Sequence, residues 1–141
     1  MIYTQWDIIA DLYIPLLLLC SLSVLLRTRN KPDLKKKIAT LASSILTVYS
    51  LMLIDNWLRL WAYFDLDYST HTALALTLVF FLSNNKRCTF IATSSIVMYF
   101  LLMMYRQYHS VLDIASTTII LLPLLYFIMK KSEQQKTTPP I

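Results

Sequence analysis

Five apolar runs dominate this chain, at 8–26, 38–54, 72–82, 88–104 and 111–129, with short charged clusters between them. The hydrocarbon core of a bilayer is about 30 Å thick, and a helix needs roughly 20 residues to cross it. Four runs meet that length once flanking residues are counted, with Asp11 standing inside the first. The run at 72–82 meets it only if Asp67 to Ser69 and Ser83 to Asn85 extend its helix. Hydrophobicity is too continuous for the alternation of a membrane β-barrel. Of the 141 residues 57% are hydrophobic and 15% charged, too little charge for a soluble domain of this size. The expected fold is an all-α integral membrane protein with five transmembrane helices. It forms a single domain over residues 1–129, followed by a disordered tail at 130–141.

Charge sets the expected orientation. Arg27, Arg29, Lys31, Lys35, Lys36 and Lys37 fill the first loop, Lys86 and Arg87 the third, and Lys130, Lys131 and Lys136 the tail. The acids Asp7, Asp11, Asp55, Asp65, Asp67 and Asp113 gather at the N-terminus and in loops two and four. This is the positive-inside pattern, which puts the N-terminus outside and the C-terminus in the cytoplasm. The net charge of +5 therefore marks topology and contact with anionic lipid, and argues against nucleic acid as a partner. The N-terminus lacks the basic region that opens a cleavable signal peptide. Cys20 and Cys88 fall at different depths and are expected to form no disulfide. No glycine occurs, so close helix contacts must use "ATLASS" and "IATSS", and tight turns must manage without the residue that freely accepts φ > 0. Trp57, Trp61, Tyr63 and Phe64 are expected to mark the outer interface.

Five spans with an outside start bring "DYSTHT" at 67–72 and "YHSVLD" at 108–113 to the same outer face. They hold both histidines of the chain, His71 and His109. A third helix starting near Ser69 is short, which sets His71 slightly below the surface, where a lipid holds its phosphate. Four residues after His109, Asp113 lies one helical turn away and is suited to fix the ring tautomer, leaving the other nitrogen as nucleophile. Arg106 is placed to hold an oxyanion, and Arg59 is the one earlier cation on that face. Ser69 and Thr70 are good caps for the third helix, whose free N–H groups favour a phosphate beside His71. His109 would attack phosphorus while His71 protonates the leaving oxygen.

Plainer roles stand beside these. Ser110 and Asp113 fit the Ser-x-x-Asp capping pattern, His71 suits an interfacial ring bonded to a carbonyl, and Arg59 and Arg106 suit interfacial arginines that reach water. Asp55 and Asn56 suit the end of the second helix.

"YSTHT" and "HSVLD" resemble the second and third motifs of the type 2 phosphatidic acid phosphatase superfamily, Pro-Ser-Gly-His and Ser-Arg-x5-His-x3-Asp. "DYSTHTALALTL" with "YHSVLDI" is most similar to its sphingomyelin synthase-like branch, and the resemblance covers about residues 65–129. It implies a phosphohistidine on His109, oriented by Asp113, with His71 as general acid and Ser69 in the phosphate pocket, and neither metal nor cofactor. Family members have six helices, and loss of the first leaves the five-helix topology expected here. The departures fall in the phosphate cradle. Thr70 replaces the glycine, Met103 stands where the arginine belongs, and "NKPDLKKK" lies on the wrong side to serve as the first motif.

Three functions follow. The first is a lipid phosphatase or headgroup phosphotransferase acting on a lipid phosphate or phospholipid from a periplasmic, lumenal or extracellular face. The second is a divalent-metal site built from His71, His109 and Asp113. The third is a non-catalytic small membrane protein or subunit of a membrane complex.

Overall fold

The computed structural model describes residues 5–83 and 85–134. They form five helices: α1 (Gln5–Arg27), α2 (Lys31–Leu58), α3 (Thr70–Leu82), α4 (Lys86–Tyr105) and α5 (Val111–Gln134), with a 3₁₀ turn at Ala62–Phe64. Four of them, α1, α2, α4 and α5, are long and apolar enough to cross a membrane, and no strand occurs among the described residues.

Several boundaries move from those expected. Residues 31–37 form the opening turns of α2 instead of a loop, because Pro32 suits a helix start and lysine is a good helix former. Likewise Lys86 and Arg87 open α4, where the Asn85 side chain accepts from the Cys88 N–H at 2.9 Å. At the other end of the chain α5 continues through Lys130 and Lys131 to Gln134, and the rest of the expected tail, with Lys136, lies outside the described residues. The expected extension of α3 is not made. Ser69 caps its start and Ser83 follows its end, so its 13 residues rise only about 20 Å.

The shortest helix is the most enclosed. α3 packs against each of the other four, with α1 and α4 paired on one side of it and α2 and α5 on the other. Thr72, Ala73, Ala75, Leu76, Thr77, Leu78 and Val79 are buried. The small side chains among them, Thr72, Ala73, Ala75 and Thr77, let four helices approach one axis, in surroundings where van der Waals contact supplies most of the attraction. The hydroxyl of Thr77 donates to the Ala73 carbonyl at 2.8 Å, so its polarity is answered inside α3. The two small-residue stretches expected at contacts also serve there: Thr40 and Ser44 of α2 and Ala92 of α4 are buried. The perimeter is the reverse, with Leu26, Phe90 and Ile119 each more than two-thirds exposed. Apolar residues facing outward around a core rich in small polar ones suit a lipid surround.

Without glycine, three other residues among those described take the left-handed conformation: Arg59 (φ 51°), Asp65 (φ 55°) and Gln107 (φ 56°). Each such residue costs about 1–2 kcal/mol when it carries a Cβ. All three lie in the α2–α3 and α4–α5 connections, the first leading into His71 and the second holding His109.

Candidate phosphoryl-transfer site

The α2–α3 connection is tied down from several directions. Asp55 accepts from the Trp61 backbone N–H at 2.9 Å, and the Trp61 indole donates to Ser116 Oγ at 3.0 Å. Trp61 is therefore buried, which corrects its expected place in an interfacial belt; Trp57, Tyr63 and Phe64 are exposed as such a belt requires. Tyr68 sets its ring edge-on to Trp61, with centroids 5.0 Å apart, and donates its hydroxyl to the Val48 carbonyl at 3.1 Å. Burial, with Asp55 nearby, holds the Tyr68 phenol well above its ordinary value, so it serves as a neutral donor.

These ties deliver Ser69 to the head of α3. Its side chain accepts from the Thr72 N–H at 3.2 Å and donates to Thr72 Oγ1 at 2.8 Å, while its own N–H reaches Thr117 Oγ1 at 3.2 Å. Ser69 is fully buried, so its hydroxyl acts as a helix cap, while Thr70 is half-buried and opens the helix. His71 follows in the first turn and is exposed.

Asp113 joins the two connections. Its Oδ1 accepts from the Asp67 N–H at 2.9 Å, and its Oδ2 accepts from the Ser110 N–H at 2.8 Å. The Asp113 N–H is answered by Ser110 Oγ at 3.2 Å, which completes a capping box for α5. The plainer reading of this residue is thus realised, and the carboxylate also clamps the chain just before His71. His109 precedes α5 and is not on a helical face with Asp113, yet its Nδ1 stands 4.0 Å from Asp113 Oδ2. That is electrostatic contact, too long for a hydrogen bond.

The two imidazoles, far apart in sequence, lie with ring centroids 6.5 Å apart. They border a cavity of about 160 Å³ whose wall also includes Asp11, Tyr99, Met103 and Tyr108. Burial holds His109 below its ordinary value, with the neighbouring His71 pushing the same way and Asp113 opposing, so its neutral form is favoured.

Neither arginine lines this cavity. Arg59 ends α2 in the left-handed conformation with its side chain exposed. Arg106 stands three residues before His109, but α4 ends at Tyr105 and the chain turns through Gln107, so helical spacing does not bring it beside the ring to hold an oxyanion. Instead Arg106 forms a two-pronged pair with Asp7 of α1, Nε–Oδ1 at 2.7 Å and NH2–Oδ2 at 2.8 Å, and Tyr108 donates to the same carboxylate at 2.6 Å. The bond to Asp7 holds Arg106 firmly protonated and raises the Tyr108 phenol above its ordinary value.

The sequence reading also passed over Asp11 and Tyr99 as parts of this cavity. Asp11 carried a signal, since a second carboxylate one turn after Asp7 inside an apolar run marks a face turned away from lipid. Tyr99 gave none. It stacks on Tyr13 of α1 at 4.2 Å, is nearly buried, and its hydroxyl finds no protein partner. It also lines a larger groove of about 560 Å³ between α1 and α4, walled by Trp6, Ile9, Tyr13, Met98 and Tyr105. Tyr99 is thus common to the walls of the cavity and the groove.

As for a metal centre, no group of three or more His, Cys, Asp or Glu residues among those described is arranged to hold an ion. No family model, curated protein or solved structure matches the chain.

Proposed function

We propose that this protein is a membrane lipid phosphatase or headgroup phosphotransferase that works through a phosphohistidine. The observation that carries the reading is the 6.5 Å approach of the two imidazoles at one small cavity, with His109 biased toward its neutral form. In this scheme the ring face toward Asp113 holds Nδ1, so Nε2 of His109 attacks phosphorus. The bond from phosphorus to the leaving oxygen breaks as protonated His71 gives that oxygen its proton. Water, for hydrolysis, or a lipid hydroxyl, for transfer, then gives its proton to the now neutral His71 and attacks phosphorus. The bond from phosphorus to Nε2 breaks, and both histidines return to their starting state. Asp113 positions His109 and holds the 67–69 segment that leads to His71. Thr70 and the first N–H groups of α3 supply what phosphate grip remains, and neither metal nor cofactor enters. The apolar groove sharing Tyr99 with the cavity suits a lipid chain lying beside its own headgroup.

The same proposal takes α3 as a fifth crossing, since the connections at its two ends serve opposite ends of the four long helices. With lysines inside, the histidine end faces the periplasm, a lumen or the exterior. The resemblance to the type 2 phosphatidic acid phosphatase superfamily supports this reading on the histidine motifs alone.

One observation favours a non-catalytic membrane protein instead. Arg106 is bound to Asp7, which leaves the cavity without the arginine that phosphoryl transfer usually employs. Release or transfer of headgroup phosphate from a lipid panel, measured in detergent with chelator present, separates the two. Turnover by wild type that disappears in His109→Ala is expected. Full activity in His109→Ala overturns the nucleophile assignment, and an inactive wild type across phosphomonoester and phosphodiester lipids favours the non-catalytic reading.

A further inference from the structure

The other end of the molecule carries a second cleft, unrelated to the histidines. α2 and α5 run antiparallel, and their far ends are joined by a 2.7 Å hydrogen bond from Thr40 Oγ1 to Ser132 Oγ. From Asp113 to Ser132 α5 rises about 28 Å, close to the hydrocarbon thickness, so this junction lies one membrane width from the capping box at Asp113. Around it opens a cleft of about 560 Å³ lined by Lys35, Lys36, Thr40 and Ser43 of α2 and Lys131 and Ser132 of α5. Helical spacing produces this wall: Lys35, Ala39 and Ser43 recur every fourth residue on α2, while Ile128, Lys131 and Ser132 share a face of α5. None of the described lining residues is acidic. The nearest acid on α2, Asp33, accepts from the Asn30 side chain at 3.0 Å, and Lys37 turns away to Thr28 Oγ1 at 3.0 Å.

We infer that this cleft binds the headgroup of an anionic phospholipid from the leaflet on the lysine side. Lys35, Lys131 and the Ser132 hydroxyl supply donors for phosphate oxygens, while the Thr40 and Ser43 hydroxyls donate within the protein, and Ala39 and Ile128 offer an apolar wall along which the chains descend. A soluble phosphate would use only the upper part of the cleft, whereas a phospholipid matches its change from charged rim to apolar wall. The lipid bridges α2 and α5 beside the Thr40–Ser132 bond. The inference rests on the membrane-spanning reading and is independent of the phosphoryl chemistry.

Native mass spectrometry of the full-length protein in detergent, titrated with phosphatidylglycerol or phosphatidylcholine of the same chain length, tests it. Tighter binding of phosphatidylglycerol by wild type is expected. With about fivefold in affinity per lysine near a membrane surface, Lys35→Gln combined with Lys131→Gln should weaken it about 25-fold. Lys86→Gln with Arg87→Gln, basic residues that do not line the cleft, should leave it unchanged. Equal binding of the two lipids by wild type overturns the inference and needs no variant. It is also overturned if both double variants lose affinity alike, which would mean diffuse charge, or if glycerol phosphate competes as well as the lipid does.

Discussion

The two ends of the helix bundle use charge in opposite ways. At the histidine end Asp7 and Asp113 are engaged with groups brought from distant parts of the chain and Asp55 with the Trp61 N–H six residues on, and they hold two connections that contain the three described left-handed residues. At the lysine end the connections are only 28–30 and 83–85, and most of the basic residues stand on the first turns of α2 and α4 and the last turns of α5. The longer connections need side-chain partners for their backbone groups, which short turns between long helices do not. Polar contacts therefore shape the connections at one end, while at the other Lys35 and Lys131 line the cleft proposed for lipid.

The sharpest break of that contrast should come from Asp113→Ala, which removes the acceptor of two backbone N–H groups and a helix cap. A loss of about 2–4 kcal/mol is expected in unfolding measured in mixed micelles. A loss no larger than that of a lysine-end variant would erase the contrast. Asp7→Asn should rank next, since it leaves Arg106 charged beside a neutral partner. Hydrogen exchange at residues 106–110 should accelerate, whereas unchanged exchange would mean that the pair does not hold the turn.

Smaller still is the effect of pH. His109 is held below its ordinary 6.5, so between that value and its own the unfolded chain is protonated while the folded chain is not. Stability from this group is present above about pH 6.5 and declines as pH falls through and below it. The difference between wild type and His109→Ala isolates that slope, and a difference that does not change with pH would contradict the assigned environment. The smallest effect is expected for Lys37→Ala, whose partner Thr28 lies at the edge of the bundle: within about 0.5 kcal/mol in the same unfolding assay.

Much of this was legible in the residues. The apolar runs located the five helices, and loop charge put both histidines at one end because sidedness follows from counting alternate connections. The Ser110–Asp113 spacing announced a capping box that is present. Less legible was the helical state of the lysines, which composition assigned to a loop although lysine favours helix. The Asp7–Arg106 pair was invisible, since it joins the first and fourth helices through side chains whose meeting depends on packing around α3. The central place of α3 was hidden as well. Its shortness suggested an uncertain span, while its alanines and threonines are what allow four longer helices to surround it.

The central claim is that His71 and His109 form one phosphoryl-transfer site, and trapping the covalent intermediate tests it most directly. Wild-type protein turning over a short-chain lipid phosphate, quenched in alkali and digested, should yield an acid-labile phosphoryl group on the peptide containing His109. His71→Ala should form it more slowly, because the leaving oxygen then lacks its proton donor. Turnover with no phosphate on His109, or with the label on another residue, would contradict the account.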